Sequence, residues 1–157
     1  MANADTPVFS PWFGQYKSVA PGTAKTTVEN AINQGTSSMG MLRRSVARSR
    51  LTDVNRPYQT VRIFQQGNEL ITDFDGNKFP GHADGSPERS KDPRGDPVTV
   101  SYRAAGDTLT GKYLGDDGTK EIAFERSPDG NQLTMHVTVT SKKLPQPIHY
   151  SIRYQKQ

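Results

Sequence analysis

The sequence predicts a mainly β protein: an antiparallel up-and-down barrel carrying a helix-turn-helix lid after its first strand. Three observations lead there. Apolar and polar residues alternate from Pro97 to Tyr154, the two-residue period of strands with one buried face. Turn signals recur at Gln66-Gly67-Asn68, Asp75-Gly76-Asn77, Ala105-Gly106-Asp107, Asp117-Gly118 and Asp129-Gly130-Asn131, the spacing of a hairpin meander. Ahead of the meander, Thr26-Thr27-Val28-Glu29 has the form of a capping box, which opens a helix by satisfying two backbone amides reciprocally.

The elements follow in order. Residues 1–11, with Pro7 and Pro11, read as an extended arm, and Trp12 to Val19 as the first strand, ended by Pro21 and Gly22. The lid spans residues 24–54. Its first helix starts at the Thr26 box, presents Val28, Ala31 and Ile32, and closes at Gly35 in the left-handed conformation. Its second is capped by Ser37 or Ser38, with Met39, Leu42, Val46 and Ala47 on one face and Arg44 and Arg48 turned away. Strands are expected over 58–65, 69–74, 98–104, 108–115, 119–126, 132–141 and 147–155. Residues 75–97 hold four Gly and four Pro and are too long for a hairpin loop, leaving a mobile flap or a hidden short strand as alternatives.

Composition narrows the function. At 157 residues, one domain over the whole chain is expected. Only 32% of residues are hydrophobic, which suits a thin-walled barrel better than a solid core. With no cysteine, disulfides, thiolate chemistry, zinc fingers and iron-sulfur clusters are excluded. The net charge of +4 is concentrated: residues 36–65 carry Arg43, Arg44, Arg48, Arg50, Arg56 and Arg62 against Asp53 alone. One basic segment in an otherwise near-neutral chain argues against nucleic-acid binding and for a local anion-facing surface such as an anionic membrane. No apolar run spans a bilayer, so a soluble protein is expected. Ala2-Asn3-Ala4 has the form of an export-signal cleavage end, which points to a periplasmic or secreted location.

Strand parity divides the later residues. Val98, Val100, Tyr102, Leu109, Tyr113, Ile122, Phe124, Leu133, Met135, Val137, Val139, Ile148, Tyr150, Ile152 and Tyr154 share the inner face. Glu125, His136, His149, Ser151 and Arg153 fall outside. Keeping these faces requires Met135 to pair with Ile152 or Tyr150, which brings His136 near His149 or Ser151. The inner phenols need partners, supplied either by a filled core or by a ligand in a cavity.

Trp12-x-Gly14-x-Tyr16, a helix-turn-helix and then a meander resemble the fatty-acid-binding protein and lipocalin group. Leu133 to Ser141 with Leu144-Pro-x-Pro-Ile-x-Tyr-x-Ile-x-Tyr154 is similar to the ending of exported bacterial lipocalin-like proteins. The resemblance implies a lumen for an apolar or amphipathic small molecule, such as a fatty acid, under a helical portal. On that reading the ligand contacts are Trp12, Tyr16, Arg43, Arg62, Tyr102, Tyr113, Phe124, Met135, Val137, Tyr150, Ile152 and Tyr154, with no cofactor and no metal. Fatty-acid-binding proteins end in Arg-x-Tyr, both side chains reaching the ligand carboxylate. Here Arg153 directly precedes Tyr154, and adjacent strand residues face opposite sides, so Arg62 becomes the substitute.

Two rival functions remain. A barrel enzyme needs a titrating residue in the lumen, and its candidates His136, His149 and Glu125 lie outside by parity. An interaction or inhibitor module would use residues 75–97, which contain Arg94-Gly95-Asp96 between two prolines. Three weaker motifs fail for want of required residues: Asp73-Phe-Asp75 as a calcium loop, with Lys78 and Asp84 where Gly and Glu belong, Gly35-Thr-Ser37 as a nucleophile elbow without its closing Gly, and Gly111-Lys112 as a phosphate cradle without a Gly-rich loop before it.

Overall fold

The last hairpin fixes the frame. In a computed structural model describing residues 8–157, β9 (Gln132–Thr140) pairs antiparallel with β10 (Ile148–Lys156), Met135 opposite Ile152 and His136 opposite Ser151. Every member of the inner set named above is buried, as parity demands.

The other strands are β1 (Gly14–Ser18), β2 (Thr60–Gln66), β3 (Glu69–Phe74), β4 (Asn77–His82), β5 (Glu88–Lys91), β6 (Pro97–Ala105), β7 (Thr108–Leu114) and β8 (Thr119–Arg126). Two helices, α1 (Pro21–Gly35) and α2 (Met41–Val54), separate β1 from β2. The ten strands form one antiparallel sheet in the order β4-β3-β2-β1-β10-β9-β8-β7-β6-β5. That order curls into a nearly closed barrel, because β1 joins β10 and, among the described residues, leaves only β4 and β5 as unladdered edges.

Residues 75–97, expected as a long loop that forms a mobile flap or hides a short strand, hold two strands and supply both of those edges. Asp75, at φ 52°, and Gly76, at φ 95°, make the tight turn that folds β4 back on β3, and β5 then pairs with β6. Proline and glycine disguised these strands: Pro80 and Gly81 sit within β4, where an edge strand tolerates a missing N–H. Arg94-Gly95-Asp96 occupies the β5–β6 turn, where the Asp92 carboxylate accepts the Arg94 and Asp96 amides.

The start of the chain departs from expectation too. The arm over residues 1–11 falls partly outside the described residues, and Ala2-Asn3-Ala4 lies wholly outside them. Ser10–Trp12 form a single 3-10 turn, and the strand begins at Gly14 rather than Trp12.

The lid starts earlier than its capping box. Pro21 occupies the first turn of α1, where its missing N–H costs nothing, and Thr26 lies inside the helix with its hydroxyl on the Gly22 carbonyl. Ala24, Val28, Ile32 and Gly35 form the buried stripe. Gly35 ends the helix at negative φ, against expectation, because its role is contact. A Cβ there would sit 2.6 Å from Ile148 Cγ1.

Helix α2 is capped by Gly40 rather than a serine and is rotated relative to the sequence expectation. Leu42 and Val46 point to solvent, 84% and 58% exposed, and Leu51 is its one buried residue. Arg44 and Arg48 turn inward instead. Arg44 donates to the Met39 carbonyl at 3.0 Å, and Arg48 to the Thr36 hydroxyl at 2.9 Å and the Asn33 carbonyl. The end of α1 and the link that follows it leave acceptors open, and guanidinium donors satisfy them where leucine and valine have nothing to offer.

Candidate functional site

The barrel interior is the first candidate, and its two ends differ. Strand β8 runs from one to the other, carrying Lys120, Ile122, Phe124 and Arg126 on one parity. At the closed end, Trp12 donates its indole N–H to the Phe124 carbonyl, Tyr16 donates to the Trp12 carbonyl, and Arg126 lies 5.8 Å from the Trp12 ring. Trp12 and Tyr16 are therefore buried plugs of this end.

In the middle, aromatic rings meet one another. Phe74 stacks on Tyr58 at 4.5 Å between centroids and packs against Phe124 and Tyr113 at 6.2 Å, while Phe79 and Tyr102 approach Tyr113 edge-on. Their phenols are chained. Tyr102 donates to the Phe79 carbonyl, so the Thr72 hydroxyl, 2.8 Å away, must donate to Tyr102 and in turn accept from Tyr113 at 2.9 Å. Tyr102 thereby ties β6 to β3 and β4 across the unladdered seam. Gly81 and Gly111 admit its ring, since a Cβ at either would come within 3.0 Å of it. Beside this seam, His82 on β4 reaches Glu88 on β5 at 3.2 Å. Glu88 is held above the usual carboxylate range by its contact with Glu69 and by burial.

Under the lid, Tyr150 donates to Asn55 Oδ1 at 2.9 Å, Asn55 donates to the Leu51 carbonyl, and Tyr154 donates to the Tyr58 carbonyl at 2.8 Å. Lys120 Nζ donates to the Val54 carbonyl at 2.8 Å and lies 5.9 Å from the Tyr58 ring. Desolvation by burial lowers this ammonium to about 8. Lys120 was missed in the sequence although it shares parity with Ile122 and Phe124. A lysine at the second position of a strand reads as solvated, and its contact with the end of α2 changes that.

Of the sequence-derived contacts, Tyr102, Tyr113, Phe124, Met135, Val137, Tyr150, Ile152 and Tyr154 are brought together inside the barrel. Arg62 is not. It faces outward, paired with Asp73 at 3.5 Å and lying 4.8 Å over the Phe64 ring, because Val61 and Ile63 take the inner parity of β2. Arg43 is exposed on α2, and Arg153 faces out as its parity requires. The inner phenols Tyr102, Tyr113, Tyr150 and Tyr154 all find protein partners, which favours the filled-core alternative for the structure as it stands.

Two clefts adjoin the lid. One of about 370 Å³ lies between α1 and the α2–β2 connection, walled by Val28, Ile32, Asn55, Pro57 and Tyr58 with Lys25 at its rim. The other, about 290 Å³, lies between the start of α1 and β10. Outside the barrel, the hydroxyl of Ser151 is 2.7 Å from His136 Nδ1, and His136 Nε2 is 2.9 Å from Glu125 Oε1. This group stands on the outer face, so it does not place acid-base chemistry in the lumen. Among the described residues no three His, Asp or Glu side chains gather as a metal site, and no helix is long and apolar enough to cross a membrane.

A ten-stranded, nearly closed barrel with two helices between its first and second strands is the fold of the fatty-acid-binding-protein-like calycin barrels. Solved structures carry the same likeness. A secretory abundant heat soluble protein from Ramazzottius varieornatus superposes with TM-score 0.61 at 9% identity, over 94% of this chain and 96% of that one. Apo lipid binding protein 8 from Caenorhabditis elegans gives 0.54 at 11%, over 94% and 96%. A Schistosoma mansoni fatty acid binding protein in complex with arachidonic acid gives 0.52 at 16%, over 95% and 98%. No protein-family model matches the chain, and no curated protein sequence matches it. These similarities define a fold, and the narrower likeness to exported bacterial proteins has no sequence match behind it.

Proposed function

We propose that this protein binds a single amphipathic lipid, a fatty acid or a close analogue, as a carrier or sensor. The chain reaches the ligand's acidic head group with Lys120 at the mouth of the barrel and its tail with the Phe74–Tyr113–Phe124 cluster. One observation carries the reading: an ammonium sits beneath a helical lid, against an aromatic ring, with a backbone carbonyl and, among the described residues, no carboxylate as its partner. A bound carboxylate would supply the missing counter-charge in a desolvated site, where ion pairing is stronger than in water. Entry requires α2 to lift and Tyr58 to swing, which its modest anchoring through Leu51 and Asn55 allows.

The outer face of α2 fits delivery from a membrane. Met41, Leu42 and Val46 are exposed beside Arg43 and Arg50, an apolar strip edged by cations suited to an anionic bilayer. A periplasmic or secreted setting is consistent with this role. The Arg-Gly-Asp turn offers the interaction-module alternative less, since residues 75–97 supply two barrel strands rather than one long free loop.

Titration of delipidated protein with oleic acid and with oleyl alcohol, read by displacement of a fluorescent apolar probe, tests the proposal. Saturable oleate binding is expected, weakened by Tyr150→Ala for both ligands. Lys120→Met should weaken oleate about tenfold, about 1.4 kcal/mol, and leave oleyl alcohol unchanged. Absence of saturable binding to either ligand defeats it.

A further inference from the structure

We propose that Ser151, His136 and Glu125 form an acyl-transfer site on the outer wall of the barrel, taking small carboxylic esters in the cleft beside α1. The three side chains come from adjacent strands on the solvent face. Ser151 stands directly opposite His136 in the β9–β10 ladder, and Glu125 on β8 reaches the same imidazole from the other side. Two short hydrogen bonds on the two ring nitrogens constrain the protons. When the imidazole is neutral, an ionised Glu125 accepts from Nε2–H, Nδ1 carries the lone pair and the Ser151 hydroxyl donates to it. That is the arrangement of a hydroxyl nucleophile, a general base and the carboxylate that orients the base, with the roles of the ring nitrogens exchanged relative to the serine-protease template.

A relay alone is a surface hydrogen-bond ladder. What distinguishes this one is its position: Ser151 also lines the cleft of about 290 Å³, opposite Val19, Ala20, Thr23 and Thr27, with Arg153 two residues along the same strand face. The apolar side chains suit a short acyl group. The Arg153 guanidinium, which has no ion-pair partner among the described residues, supplies positive charge for the carbonyl oxygen.

The chemistry balances without a further reagent. Ser151 Oγ bonds to the ester carbonyl carbon while its proton passes to His136 Nδ1. The carbon–alkoxide bond breaks and the alcohol leaves with that proton. Water then attacks the acyl-serine, gives a proton to Nδ1, and releases the carboxylic acid as the proton returns to Oγ. Glu125 touches no reacting atom and acts as a positioning residue. Ser151, His136 and Glu125 all lie outside the lumen, so the fate of this site is independent of the lipid reading.

Hydrolysis of p-nitrophenyl acetate and butyrate at neutral pH, followed by labelling with phenylmethylsulfonyl fluoride and peptide mass mapping, tests the assignment. The expected result is a sulfonyl adduct on Ser151 and a kcat/KM that falls on the order of tenfold to a hundredfold in Ser151→Ala and in His136→Gln. Glu125→Gln should lower kcat with KM unchanged, whereas His149→Gln should match the wild type. Thermal melts identify any variant that has lost its fold. Equal rates in the wild type and folded Ser151→Ala, or an adduct confined to other residues, overturn the proposal.

Discussion

Thr72 illustrates how much a single hydroxyl can organise. It is fully buried and serves two phenols at once, accepting from Tyr113 and donating to Tyr102, whose own proton reaches the Phe79 carbonyl. Replacement by valine keeps the shape but strands the Tyr113 hydroxyl without an acceptor. An orphaned buried donor costs about 1–3 kcal/mol, so Thr72→Val should lower stability by that amount in urea denaturation. Thr72→Ser should lose less, because the relay survives. Equal losses in the two variants would mean that packing, not the relay, makes Thr72 important.

Among elements, the packing of α1 on β10 yields a second test. Gly35→Ala would drive a methyl to 2.6 Å from Ile148 Cγ1, and overpacking of this kind costs about 1–3 kcal/mol. In an Ile148→Ala background the clashing atom is absent, so the cost of Gly35→Ala should largely vanish in a double-mutant cycle. The elements also show what the sequence could reveal. Strands β3, β7 and β8, the β9–β10 register and the whole inner set follow from a two-residue period and turn chemistry, both local properties. The faces of α2 did not follow, since the choice between turning Leu42 or the arginines inward depends on acceptors outside the helix, the Met39 carbonyl for Arg44 and the Thr36 hydroxyl and Asn33 carbonyl for Arg48, which no helical period encodes. Strands β4 and β5 were hidden because their stability is lent by β3 and β6, not by their own Pro- and Gly-rich residues. For the candidate site, the inward tyrosines were legible through parity. Lys120, Asn55 and Thr72 were not, because each acquires its meaning from a partner more than 25 positions away or from burial under the lid, except for the local bond of Asn55 to Leu51.

For the molecule as a whole, the barrel's dependence on buried phenols makes its stability a function of alkaline pH. Tyr16, Tyr58, Tyr102, Tyr113, Tyr150 and Tyr154 are all raised above the ordinary 10.0, in each case chiefly by burial, with Tyr58 and Tyr102 reaching about 12. Lys120 moves the other way, from 10.5 to about 8. Between about pH 8 and 10.5 the folded state has released the Lys120 proton while the unfolded chain still holds it, so this residue makes stability rise with pH. Above pH 10 the unfolded chain sheds its phenol protons while the folded barrel keeps them, and stability falls. The two trends oppose one another, but six phenols outweigh one amine. Urea unfolding measured from pH 7 to 11.5 should show a shallow rise through pH 9, then a steep decline. Phenolate absorbance near 295 nm should appear together with loss of near-ultraviolet dichroism, as a single event. Lys120→Met should be more stable than the wild type at pH 7, lose the shallow rise and retain the decline. Phenolate formation near pH 10 in a barrel that stays folded would show that the tyrosines are open to solvent, contrary to the packing described.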